Sequence, residues 1–233
     1  MGEPDVLVGD RHASGTGKRT IKGARVASEQ EMKTSDLILY PVHKMLEMPS
    51  VYAANQVLGR PTTDRIRKLI AANVKSAVDQ EILDLGCGVG AFRDCFSGPY
   101  TGIDINPAYM KQARSSLRGR FAAMDCTSLS FADESFGEVV TIGTTHHLND
   151  SQVAMMAKEA LRVCRPGGHF HVFDSILPIS PNLFKTVWYS LDRGRFPRKR
   201  DFLLAVLAGA GRLDHYEVMT GPLHDVVYVR LGQ

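Results

Sequence analysis

Three closely spaced glycines, Gly86, Gly88 and Gly90, follow directly on an aspartate set in an apolar stretch, Ile82-Leu83-Asp84-Leu85. Glycines at this spacing let the backbone turn sharply and let another molecule come close to it. Asp104 lies about 20 residues further on, where a carboxylate ending the next strand can accept two neighbouring hydroxyls of a ligand. Asp84, just ahead of the loop, is placed to face a cationic group. A pyrophosphate would have no use for a negative charge there. Asp125-Cys126 can serve the edge of a heterocycle, the carboxylate accepting from an exocyclic amine and a backbone N–H meeting a ring nitrogen. His146-His147 are the titratable pair best placed to take a proton.

Positioning these groups requires strands that end side by side. Ile82–Leu85 is a short apolar run closed by glycines, the mark of a buried strand. Further strands are expected over Tyr100–Ile105, Arg120–Met124, Glu138–Ile142, His169–Phe173, His215–Met219 and Val226–Leu231, with helices over Ala91–Phe96, Ala108–Leu117, Ser151–Val163, Asn182–Leu191 and Arg200–Ala208. The alternation predicts an α/β fold: a Rossmann-like, mostly parallel sheet with helices on both faces. The last two strands, joined by a short Gly-Pro turn, are expected as an antiparallel hairpin at its edge. Asp84, Asp104, Asp125 and the His146-His147 pair then all fall at the ends of successive strands.

The 233 residues are 44% hydrophobic, enough for one sizeable core, and 23% charged, which excludes bulk disorder. A net charge of +3 is too weak to indicate a nucleic-acid or membrane partner. No stretch free of Asp, Glu, Lys and Arg reaches the ~18 residues of a spanning helix. The N-terminus, with Glu3 and Asp5, does not read as a secretory signal. Cys87, Cys95, Cys126 and Cys164 form no C-x-x-C pair, so no metal site is expected, and reduced thiols fit a cytoplasmic protein. Residues 1–60 are expected to form a mobile basic arm and a helical lid, and 61–233 the ligand-binding domain. Gly15-Thr16-Gly17-Lys18 lacks the flanking residues of a phosphate loop.

Gly86, Gly88 and Ala91 also fit a dinucleotide pattern, so the glycines alone do not choose the ligand. The acidic residues do. A ligand with a ribose, an adenine and a cationic amino-acid tail, but no phosphate, is S-adenosylmethionine. Residues 81–175 resemble a class I S-adenosylmethionine-dependent methyltransferase of the small "type 11" kind. The resemblance rests on Leu83–Gly90, Gly102–Ile105, Met124–Cys126, Leu129–Phe131 leading to Phe136–Val140, His146–Leu148 and Leu161–Gly168. It is close over about residues 60–175, looser beyond and poor over the first 50. It implies seven strands with the last antiparallel, and a structural turn at Pro166-Gly167-Gly168.

The cofactor contacts expected on this basis are Asp84, Gly86, Cys87, Gly88, Asp104, Ile105, Asp125, Cys126 and Gly143, with Tyr52 reaching in from the N-terminal helices. His147 and His146 are the candidates for a base or for substrate positioning. The implied activity is methyl transfer to a small organic acceptor, by a monomer or homodimer. Alternatives are an RNA or protein methyltransferase, for which the basic stretch Arg193–Arg200 speaks, and a non-catalytic cofactor-binding partner subunit. Phe196-Pro197 interrupts that stretch and Asp192 and Asp201 flank it, so a solvated loop is expected there. Gly143-Thr144-Thr145-His146-His147 replaces the amine-flipping motif of enzymes that methylate exocyclic base amines.

Overall fold

A computed structural model describes residues 62–75, 80–180, 185, 189, 196–221 and 224–233. The expected arm and lid over residues 1–60, Tyr52 included, lie outside the described residues, as do most of the expected helix Asn182–Leu191 and of Arg193–Arg195.

Seven strands form one sheet: β1 (Ile82–Leu85), β2 (Tyr100–Asp104), β3 (Arg120–Ala123), β4 (Glu138–Ile142), β5 (Phe170–Ile176), β6 (Arg212–Met219) and β7 (Asp225–Gly232). Their order is β3-β2-β1-β4-β5-β7-β6. The first five are parallel, and β7 runs antiparallel to both β5 and β6. The expected edge hairpin is therefore present, with β6 outermost. Helices α1 (62–73), α2 (Pro107–Ser116), α3 (Asp150–Val163) and α4 (Arg200–Ala208) accompany the sheet.

The central strands are short because they are covered on both faces, which selects continuous apolar runs over alternation. One layer of core joins Leu83, Leu85, Val139 and Phe170 to Val153, Met156, Ala160, Leu203 and Leu207, the inner faces of α3 and α4. The other joins Ile82, Val140, Phe173 and Tyr228 to Leu69, Ile70 and Val74 of α1 and Met110 and Ala113 of α2. Asn106 caps α2 by accepting from Ala108 N, with Pro107 in its first turn. Asn149 and Gln152 cap α3 reciprocally.

Two elements differ from expectation. Ala91–Phe96 contains only a 3-10 turn, Arg93–Cys95, since its N-cap Phe92 offers no side-chain acceptor and the segment is too short to continue. Strand β6 begins earlier than expected, at Arg212, and its pairing shifts between Leu213 and His215. Among the described residues, no helix is long and apolar enough to cross a membrane.

Candidate functional site

The strand order reverses between β1 and β4, and in open parallel sheets the crevice outside the carboxyl ends at that point is where ligands bind. The glycine loop leaves β1 there. Gly86 N and Cys87 N both donate to Ile103 O, at 2.8 and 2.9 Å, which clamps the loop onto the end of β2. Gly86 (φ +74°), Gly88 (φ +56°) and Gly90 (φ +81°) all adopt the left-handed conformation that favours glycine. A Cβ on Gly86 would lie 2.5 Å from Thr144 Oγ1, whereas one on Gly88 would meet nothing within 4 Å among the described residues. The loop is thus packed at its root and open at its crest.

Asp104 joins the loop directly: Gly88 N donates to its Oδ2 (3.0 Å) and Asn106 N to its Oδ1 (2.8 Å). Met124 N donates to Asp104 O, which ties the end of β3, and so Asp125, to the same edge. Asp125 is exposed, and its Oδ1 accepts from the backbone and hydroxyl of Thr127, both at 2.8 Å. Cys126 beside it is half-buried, its thiol pushed up to about 12 by burial. Burial likewise raises the Cys87 thiol, so neither supplies a thiolate near neutrality. Ile105 is 74% exposed at the rim.

Asp84 is buried in β1 and accepts from Tyr100 Oη at 2.6 Å. Its other oxygen, Oδ1, is buried without a hydrogen-bond partner. Burial drives the carboxyl up to about 7; the Tyr100 bond opposes that rise, and the nearby Asp104 charge adds to it.

Past β4, Gly143 (φ +69°) donates to Phe173 O and turns the chain into a 3-10 turn, Thr145–His147. Asp174 of β5, fully buried, organises that turn. Its Oδ2 accepts from Thr145 N and Oγ1, both at 2.5 Å, and its Oδ1 lies 2.6 Å from His146 Nδ1. Burial acts to raise the Asp174 carboxyl, but His146 and the bonds from Thr145 and Ser175 outweigh it and hold it below the usual range. A carboxylate acceptor fixes the His146 tautomer with hydrogen on Nδ1, leaving the basic lone pair on Nε2. The His146 and His147 rings lie 4.1 Å apart, with His147 exposed.

The expected residues Asp84, Gly86, Cys87, Gly88, Asp104, Ile105, Asp125, Cys126, Gly143, His146 and His147 therefore gather along one edge of the sheet. Residues 83–172 match a family model described as a methyltransferase domain. The chain is 38% identical over 101 residues to the 2-methyl-6-phytyl-1,4-hydroquinone methyltransferase of Synechocystis, covering 40% of this chain and 31% of that protein. It is 29% identical over 167 residues to the human "Probable tRNA methyltransferase 9B", covering 70% of this chain and 32% of that one. The chain thus spans about a third of the length of these relatives. Residues 83–172 are a class I methyltransferase domain.

A Methanosarcina mazei S-adenosylmethionine-dependent methyltransferase shares the domain's fold, with a TM-score of 0.58 at 19% identity over 70% of this chain and 96% of that one. S-adenosylmethionine is the cofactor of this domain class. Sequence reasoning missed several residues of the methyltransferase domain and its surroundings: Tyr100, which holds Asp84; Thr144, which packs on Gly86; and Asp174, which holds His146. The one signal for Asp174 was a carboxylate inside an apolar strand run, His171-Val172-Phe173-Asp174.

Arg198 also departs from the expected solvated loop. It is buried, and it donates to Asp150 (2.7 Å), Thr145 O (2.8 Å), Phe196 O (3.0 Å) and Leu148 O (2.5 Å). It braces the His146-His147 turn instead of facing solvent.

Proposed function

We propose that this chain transfers a methyl group from S-adenosylmethionine to a small organic acceptor that must lose a proton, such as a phenol or a carbon acid. When bound, the cofactor supplies a methyl group already activated on a sulfonium. The protein's task is alignment in a dry pocket, with a base where the acceptor requires one. The donor set fits the cofactor. The unpartnered Asp84 Oδ1 suits its ammonium group, Asp104 retains accepting capacity for ribose hydroxyls, and the open crest at Gly88 lets the ligand approach the backbone. Asp125 with Cys126 serves the adenine edge, and Ile105 and Gly143 line its surroundings.

The observation that carries the acceptor class is the Asp174–His146 pair at the carboxyl end of β4 and β5. A carboxylate that holds Nδ1–H makes the ring a stronger base at Nε2 and stabilises the imidazolium that forms. His147, stacked on it, positions the acceptor. The Synechocystis relative, by its name, acts on a hydroquinone, an acceptor of this kind. An RNA acceptor is the second reading, supported by the longer match to a protein named for tRNA. Against it, Arg198 is spent on internal contacts.

Purified protein given methyl-labelled S-adenosylmethionine should label phenolic or hydroquinone acceptors. His146→Gln should lower kcat at least tenfold, with cofactor affinity within about twofold of wild type. Labelling of transfer RNA but of no small acceptor would overturn this reading.

A further inference from the structure

At the opposite end of the same strands, Glu138 opens β4, and His169 and His171 stand at the start of β5. Residues two apart on a strand share a face, so the two imidazoles lie on one side, next to the Glu138 carboxylate. Glu138 Oε2 is 3.0 Å from His171 Nε2 and 3.6 Å from His169 Nδ1. One donor atom from each of the three residues lies within 4.8 Å of the others. Two donors held at about 2.1 Å by one tetrahedral zinc ion stand about 3.4 Å apart, between the two measured separations. We propose that Glu138, His169 and His171 bind a single divalent transition-metal ion, zinc by chemistry, at a site separate from the cofactor loop.

The surroundings are built as such a site requires. Glu138 and His171 are almost fully buried, and His169 is 20% exposed. Each imidazole's second nitrogen has an outer neighbour. His171 Nδ1 is 3.0 Å from Tyr228 Oη, and His169 Nε2 faces Asp214 Oδ2 at 3.8 Å. Such partners orient metal-ligating histidines and set their tautomers. With hydrogen on Nδ1, shared with Tyr228, the His171 Nε2 lone pair is available to a metal. Burial also keeps His171 below its ordinary range, in the neutral form that ligates.

Access exists too. A cavity of about 140 Å³, lined by Lys75, Gln80, Glu138 and the Arg165–Gly168 turn, reaches the Glu138 side chain. Gln80 Oε1, on its wall, is buried without a hydrogen-bond partner.

Charge narrows the choice of ion. Arg230 pairs with His171 across the β5–β7 ladder, and Arg212 holds Asp214. With two imidazoles, one direct carboxylate and cations nearby, the set suits zinc, nickel or cobalt and not magnesium or calcium, which take oxygen cages.

The test uses the full chain stripped with a chelator. Titration with zinc chloride should show one saturable site and a rise in melting temperature. Cobalt(II) should give the visible absorption of a four-coordinate ion. His169→Ala, the softest change because that side chain is half-buried, should weaken zinc binding at least tenfold, and Glu138→Gln should do the same. Absence of saturable zinc binding by the wild type up to about 100 µM would overturn the proposal, as would wild-type binding in both variants. Because the readouts are metal affinity and melting temperature, the result does not depend on whether the chain methylates anything.

Discussion

Burial holds the Asp84 carboxyl at about 7 even though Tyr100 donates to it, so near neutrality the ligand-free protein carries it partly protonated. Its folded value is raised above the unfolded one. The stability that this group contributes is therefore fully present below about pH 4 and is lost as pH rises through about 7. An ammonium-bearing ligand favours the ionised form. Its affinity should accordingly rise with pH across that window and level off above it. Calorimetry with S-adenosylhomocysteine between about pH 6 and 8 should show this rise, and Asp84→Asn should bind more weakly with a flat profile. A flat wild-type profile would separate Asp84 from the ligand. The glycines divide by role in the same way. Gly86→Ala drives a Cβ into Thr144 at a positive φ and should destabilise the fold by about 2 kcal/mol or more. Gly88→Ala meets only open space. It should cost about 1 kcal/mol of backbone strain yet lower S-adenosylhomocysteine affinity tenfold or more, by filling the crest. Denaturation curves paired with binding isotherms distinguish the two.

The turn between β4 and α3 depends on contacts from elements distant in the chain: Asp174 from β5 and Arg198 from the segment ahead of α4. Replacing Arg198 with Ala leaves the Thr145 and Leu148 carbonyls without a donor and should destabilise the protein by about 2–4 kcal/mol. Urea denaturation checks it, and a loss below about 0.5 kcal/mol would show the side chain to be dispensable there. These links also mark how far sequence reading reaches. The glycine loop, Asp104 and Asp125 were legible because their spacing along consecutive strands sets their spacing in space. The strand cores were legible because strands covered on both faces become apolar runs. Tyr100, Asp174 and Arg198 were not, because each meets its partner through sheet pairing or packing across 16 to 53 positions of chain. The helix expected over Ala91–Phe96 failed for want of a cap, and the start of β6 was hidden by the polar residues of an exposed edge.

Across the whole molecule, the parallel sheet has two ends with different contents. The carboxyl end holds an acidic, glycine-lined crevice at the strand-order reversal, and the amino end of β4 and β5 holds the buried Glu138–His169–His171 group. The first is the basis of the functional account, because Asp84 and Asp104 distinguish an amino-acid-bearing nucleoside from a dinucleotide. The most direct test is to titrate the full chain with S-adenosylhomocysteine and, separately, with NAD by calorimetry. Binding of S-adenosylhomocysteine is expected in the micromolar range, on the order of −8 kcal/mol, with no heat from NAD. Asp104→Ala should weaken that binding at least tenfold while remaining folded, since it removes charge-assisted bonds of about 1.5–3 kcal/mol each. NAD binding with no response to S-adenosylhomocysteine would contradict the account.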